Sequence, residues 1–134
     1  MNRIRALYFG LALVTIAVGL LVHLRGTALA PAVRDVSGDA LWAAMIMWLV
    51  STLTPASRTA ARGAAAYAIC VVVEVSQLYH APTVDAIRAT FIERLVLGSD
   101  FDVRDLAAYA VGVASAMLLD AALIVRARQP RATI

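Results

Sequence analysis

The run IRALYFGLALVTIAVGLLVHL, Ile4–Leu24, decides the fold, because beyond Arg5 it carries no charged side chain. At about 1.5 Å per residue it covers roughly 30 Å, the hydrocarbon thickness of a bilayer. Ala28-Leu29-Ala30 offers the small residues of a signal-peptide cleavage site. The apolar run is longer than the usual signal-peptide core of about 7–15 residues, and Pro31 follows at the point of cleavage. The segment is therefore read as a retained transmembrane span.

Three more spans follow from the same pattern: about Asp39–Thr54, ended by Pro55; about Gly63–Tyr79, ended before Pro82; and about Asp105–Val125. Asp102 is placed to cap the last helix, with Asp105 at its third position, on the favourable end of the helix dipole. Composition agrees with this reading. Of 134 residues 62% are hydrophobic and 16% charged, and the mean hydropathy is +0.80. A soluble chain this small has too little interior for so much apolar surface. The expected fold is all-α: one transmembrane domain over residues 1–134, with four membrane-spanning helices.

All twelve basic residues are arginine and the only asparagine is Asn2, a bias that a GC-rich bacterial genome explains most simply. The net charge of +3 does not mark a nucleic-acid binder, because the arginines sit at helix ends rather than on one face. The positive-inside rule orients the bundle. Arg3 and Arg5, then Arg58 and Arg62 in the loop between spans two and three, then Arg126, Arg128 and Arg131, mark the cytoplasmic side. Arg25, Arg34, Arg88, Arg94 and Arg104 lie on the other side with acids among them. The expectation is a multi-pass protein of the bacterial inner membrane with both termini in the cytoplasm. The outer loop between spans three and four, about His80–Arg104, is predicted to hold an amphipathic helix from Val84 to about Leu97, capped by Thr83.

An ionisable side chain inside a bilayer costs roughly 2.5–3.5 kcal/mol on insertion scales and so needs a reason. Glu74 lies near the outer end of span three with Gln77 three residues on, which places both on one helix face. Asp39 opens span two, Asp105 opens span four and His23 closes span one, so all of these share one depth. Arg34 and Arg88 can reach it from the outer loops. Two apolar stripes argue that these ends turn inward: Ala12, Thr15 and Gly19 on span one, continued by His23, and Asp105, Tyr109, Gly112 and Ala116 on span four. Gly112 and Ala116 form a small-xxx-small pair that permits close helix approach. Asp120, at the opposite end, is read as neutralising nearby arginines, and Cys70 and Trp48 as packing residues. Asp100, Asp102 and Asp105 resemble a hard-cation site, but helix capping accounts for two of them. No metal or other cofactor is implied. Ser76 and His80 lack the surroundings of a hydrolase.

Three stretches, Val73-Glu74-Val75-Ser76-Gln77-Leu78-Tyr79, Asp85-Ala86-Ile87-Arg88-Ala89-Thr90 and Asp105-Leu106-Ala107-Ala108-Tyr109-Ala110-Val111-Gly112, carry a likeness to a known family. Together they resemble VanZ-like bacterial membrane proteins. The shared pattern is a glutamate and glutamine three apart late in one span, an arginine in the outer loop, and an aspartate and glycine opening the last span. Ser37-Gly38-Asp39-Ala40-Leu41-Trp42-Ala43 looks like the companion motif of a shorter, uncharacterised branch near VanZ. Where VanZ-type spans carry an asparagine shortly after the last aspartate, this chain has Ala108 and Tyr109. The resemblance implies a cell-envelope protein of four or five helices.

Three functions stay open. In the first, an outward polar cavity made of Glu74, Gln77, Arg88 and Asp105, with Arg34 and Asp39 as further members, binds a lipid or glycolipid headgroup. The arginines would then contact phosphate. In the second, an intramembrane enzyme acts on a lipid-linked envelope precursor with Glu74 as general base. In the third, the bundle is purely structural or binds a partner. The balance favours binding by membrane lipids over catalysis.

Overall fold

The computed structural model describes residues 2–89 and 101–128, apart from the side chains of Arg88 and of residues 125–128. It is all-α. The elements are α1 (Arg3–Arg25), a 3-10 turn (Gly26–Ala28), α2 (Pro31–Leu53), α3 (Thr59–Ser76), α4 (Pro82–Arg88) and α5 (Val103–Arg128). The helices α1, α2, α3 and α5 are long and apolar enough to cross a membrane. This is a multi-pass membrane protein.

Helix boundaries follow local chemistry. Proline, which has no N–H to lose, occupies the first turn of both α2 and α4. Asp102 caps α5 by accepting the N–H of Arg104 on Oδ1 at 2.8 Å, and Asp105 stands in the first turn. Helix α2 starts well before Asp39, the residue at which the sequence reading opened span two. Arg34, Asp35 and Ser37 lie within the helix, because an α-helix tolerates polar side chains where its end leaves the apolar zone. The short outer-loop helix likewise begins at Pro82 rather than Val84, with Ala81 and not Thr83 at the cap position. The expected continuation of that helix toward Leu97 falls outside the described residues.

Helix α2 is the centre of the bundle, packing against α1, α3 and α5, while α3 also packs against α5. The core is built of Tyr8 and Ala12 from α1, Ala43, Met47 and Trp48 from α2, Ala66 and Cys70 from α3, and Tyr109, Val113 and Ala116 from α5. Many of these are small, and they let the backbones approach. A Cβ on Gly112 would collide with the Ala40 carbonyl oxygen and come within 2.8 Å of its carbon, so α2 and α5 touch main chain to main chain. Large apolar side chains such as Leu24, Leu53, Val72, Val111 and Leu118 point outward. That inversion is what lipid as solvent permits, since exposure of Leu to acyl chains carries no penalty.

The stripe on α1 is only partly internal. Ala12 is buried and Thr15 and Gly19 are half-buried, but His23 is exposed. The expectation that His23 continues the stripe into the interior is therefore corrected. The main-chain packing of α1 is against α2, and one neighbour cannot enclose the far end of a helix.

Candidate functional site

Two polar centres lie at opposite ends of the bundle. The first joins the end of α3 to the start of α5. Glu74 is fully buried, and both its oxygens are used. Oε1 accepts the main-chain N–H of Asp102 at 2.8 Å. Oε2 accepts the Tyr109 hydroxyl at 2.9 Å and the Gln77 amide at 3.4 Å. The carboxylate thus sits at the positive end of the α5 dipole, where an anion is stabilised without a cation. Gln77 is itself 3% exposed.

Beside this lock stand Asp39 and Asp105, half-buried and within hydrogen-bonding reach of one another. Glu74 and Asp35 add their negative field to both, and Asp102 adds its field to Asp105. The close crossing of α2 and α5 at Gly112 and Ala40 explains the meeting. Ala40 follows Asp39 directly, and Asp105 lies two turns up the α5 face that carries Tyr109 and Gly112.

Of the six residues singled out in the sequence, Glu74, Gln77, Asp39 and Asp105 come together. Arg34 does not join an ion pair among the described residues. Its stem packs over Gly26, 3.5 Å from where a Cβ would stand. The side chain of Arg88 lies outside the described residues. Sequence reasoning missed the Asp102 N–H as the partner of Glu74. It placed Tyr109 on the right stripe but gave it no role. Tyr109 occupies the neighbourhood where VanZ-type spans carry an asparagine, and its hydroxyl supplies a donor to Glu74. Among the described side chains, those gathered at this end are mainly carboxyl groups. No group of metal-binding type forms among the described residues. Ser76 donates to the Val73 carbonyl at 2.5 Å, and His80 faces Asp85 at 3.4 Å.

The second centre, at the other end, is built on Asp120, which is fully buried. Its Oδ1 accepts the Tyr8 hydroxyl at 2.6 Å. Its Oδ2 accepts Thr59 Oγ1 at 2.5 Å and Arg62 Nη2 at 2.7 Å. The Arg62 guanidinium lies 5.1 Å from the centre of the Tyr8 ring, which in turn stacks on Trp48 at 6.2 Å. Asp120 does neutralise an arginine, as expected. Yet Arg62, counted in the sequence as a loop cation, is a core residue at 2% exposure.

A groove of about 250 Å3 runs between α3 and α5, and two of its residues, Ala60 and Gly63, directly follow Thr59 and Arg62 of the Asp120 centre. Gly63 and Val113 form its buried floor, Ala60, Ala64, Ala110 and Ala114 its exposed rims, and Tyr67 and Met117 complete it. The Tyr67 hydroxyl reaches the Leu106 carbonyl at 3.3 Å.

No solved structure matches this chain. A family model described as a protein of unknown function, DUF2809, matches residues 28–113, which covers α2, α3, α4 and the first half of α5. It supplies no link to VanZ-like proteins. The matched segment takes in well over half of the sequence and every residue of the Glu74 centre, and on that extent the chain belongs to the DUF2809 family.

Proposed function

We propose that the protein is a cell-envelope membrane protein that binds a lipid or glycolipid headgroup at the Glu74 end of the bundle, outward from the cytoplasm. The observation that carries this reading is the apposition of the Asp39 and Asp105 carboxyls. Two facing carboxylates repel unless a proton or a donor group lies between them. A headgroup amine or sugar hydroxyl is such a donor. Glu74 has its oxygens occupied by Asp102, Tyr109 and Gln77 and serves as framework. Asp39 and Asp105, which are half-buried, are the groups that meet the ligand. Capping explains Glu74 and Asp102, but it does not explain why a second carboxyl from α2 is brought against Asp105 in a membrane.

The described side chains at this end are mainly carboxyls, which favour donor-rich headgroups over a bare phosphate. The test is lipid analysis of protein purified in mild detergent. Wild-type protein is expected to retain a lipid bearing amine or hydroxyl donors, and Asp39→Asn and Asp105→Asn are expected to lose it while remaining folded. Equal retention by wild type and both variants would sink the proposal.

A further inference from the structure

The α3–α5 groove is lined by neither Asp39 nor Asp105, and its two ends differ. Toward Tyr67 it ends under a hydroxyl bonded to the Leu106 carbonyl. Toward Ala60 it reaches the first turn of α3. Arg58 stands there, two residues before Ala60, exposed and in no ion pair among the described residues. The connection from Thr54 to Arg58 contains no acid. No side chain caps α3 and its own first turn holds no acid, while the Asp120 carboxylate that meets Thr59 there is paired with Arg62. The first amides of α3 therefore add positive potential to that of Arg58. The groove itself is lined by alanine, glycine, valine and methionine over the length from Ala60 to Tyr67, about 10 Å along the helix.

An apolar groove between two membrane-spanning helices, with the exposed Arg58 at one end, has the polarity of a single anionic phospholipid. We infer that this groove binds one acyl chain of an anionic phospholipid from the leaflet on the Arg58 side, with the phosphate held at Arg58 and the start of α3. Two observations favour a lipid over a second copy of the chain. The positive end would face its own equivalent across a two-fold axis, and like charges directly opposed repel. The groove is also small, about 250 Å3 with Met117 seated on Gly63 at its floor, which suits one acyl chain rather than a helix.

The experiment uses the full chain in detergent, titrated with phosphatidylglycerol or phosphatidylcholine of identical acyl chains and read by native mass spectrometry. Wild type is expected to bind one phosphatidylglycerol in preference to phosphatidylcholine. Arg58→Gln should reduce that preference about two- to fivefold, the range for one exposed charge. Filling the groove with Ala64→Leu or Ala114→Leu should remove the bound-lipid peak for both lipids. These alanines are exposed, so the substitutions leave the core intact, and Ala64→Val serves as a milder version should either leucine variant fail to fold. Unchanged binding in the filled variants overturns the inference. So does an Arg58→Gln variant that keeps the full preference, or a wild-type dimer that the leucine variants convert to monomer. Asp39 and Asp105 take no part, so the outcome is independent of the headgroup site at the other end.

Discussion

Replacing Gly112 by alanine tests the packing that brings the Glu74 end together. The new Cβ would overlap the Ala40 carbonyl oxygen and lie 2.8 and 2.9 Å from the Ala40 carbonyl carbon and Cα. Carbon atoms pack at about 3.5–4.0 Å, so α2 and α5 must separate by on the order of 1 Å. A backbone cannot yield as a flexible side chain does, and a gap of that size forfeits about a quarter to a half of each neighbouring dispersion contact. Overpacking typically costs about 1–3 kcal/mol, and a main-chain collision belongs at about 3. The helix gains about 0.5–1 kcal/mol from replacing glycine by alanine, which leaves a net loss of about 2. Gly19 and Gly38 supply the internal control, because a Cβ on either meets nothing within 4 Å. Gly38→Ala and Gly19→Ala should be stabilised by about 0.5–1 kcal/mol. The measurement is reversible unfolding in mixed detergent micelles with increasing dodecyl sulfate. A Gly112→Ala variant within about 0.5 kcal/mol of Gly38→Ala, a difference no larger than ordinary surface scatter, would refute the close crossing.

At the opposite end, Asp120→Asn should cost about 3–5 kcal/mol by leaving the Arg62 charge buried and uncompensated; an unfolding midpoint equal to wild type would contradict this. Tyr8→Phe should cost about 1–2 kcal/mol for the lost hydroxyl, read in the same unfolding assay. Glu74→Gln keeps an oxygen for one donor and puts an NH2 group where the other donors point, so a loss of about 1–3 kcal/mol is expected, and Glu74→Asp should not restore stability because the shorter side chain cannot reach the Asp102 N–H. A C-terminal alkaline phosphatase fusion should be inactive in cells, as a cytoplasmic terminus requires; activity would reverse the proposed orientation.

The four spans were legible because lipid imposes long uncharged runs on a sequence, and no tertiary knowledge is needed to see them. The convergence of Glu74, Gln77, Asp39 and Asp105 was legible from their shared depth together with the small-residue stripe of span four, once the helices were counted and alternated. Gly112 was legible as a contact through its spacing to Ala116. The lost detail is of two kinds. The Asp102 N–H that holds Glu74 belongs to the main chain, and a sequence shows no main-chain donors. Arg62 and Asp120 are far apart in the chain and both lie near helix ends, where an arginine reads as a loop cation. A tyrosine four residues inside the first span, at the same end as Thr59, Arg62 and Asp120, was the signal that a polar centre forms there. Its ring made it look like one more apolar residue.

The family match sharpens the difference between the two centres. It begins at Ala28 and ends at Val113. Glu74, Gln77, Asp102, Asp105, Tyr109 and Asp39 all fall inside it, and so do Gly112 and Ala40, whose contact sets their distances. The Asp120 centre is split: Thr59, Arg62 and Trp48 fall within the match, whereas Tyr8 and Asp120 lie beyond it on either side. A buried arginine without its carboxylate is strongly destabilising, so the segment 28–113 by itself would leave Arg62 uncompensated. The end of α5 supplies the counter-charge, and α1 supplies the hydroxyl and the aromatic face that enclose it. The Glu74 centre needs neither. The proposed headgroup site at Asp39 and Asp105 is complete within the matched segment, whereas the Asp120 centre is completed from outside it and serves to hold the buried Arg62 charge.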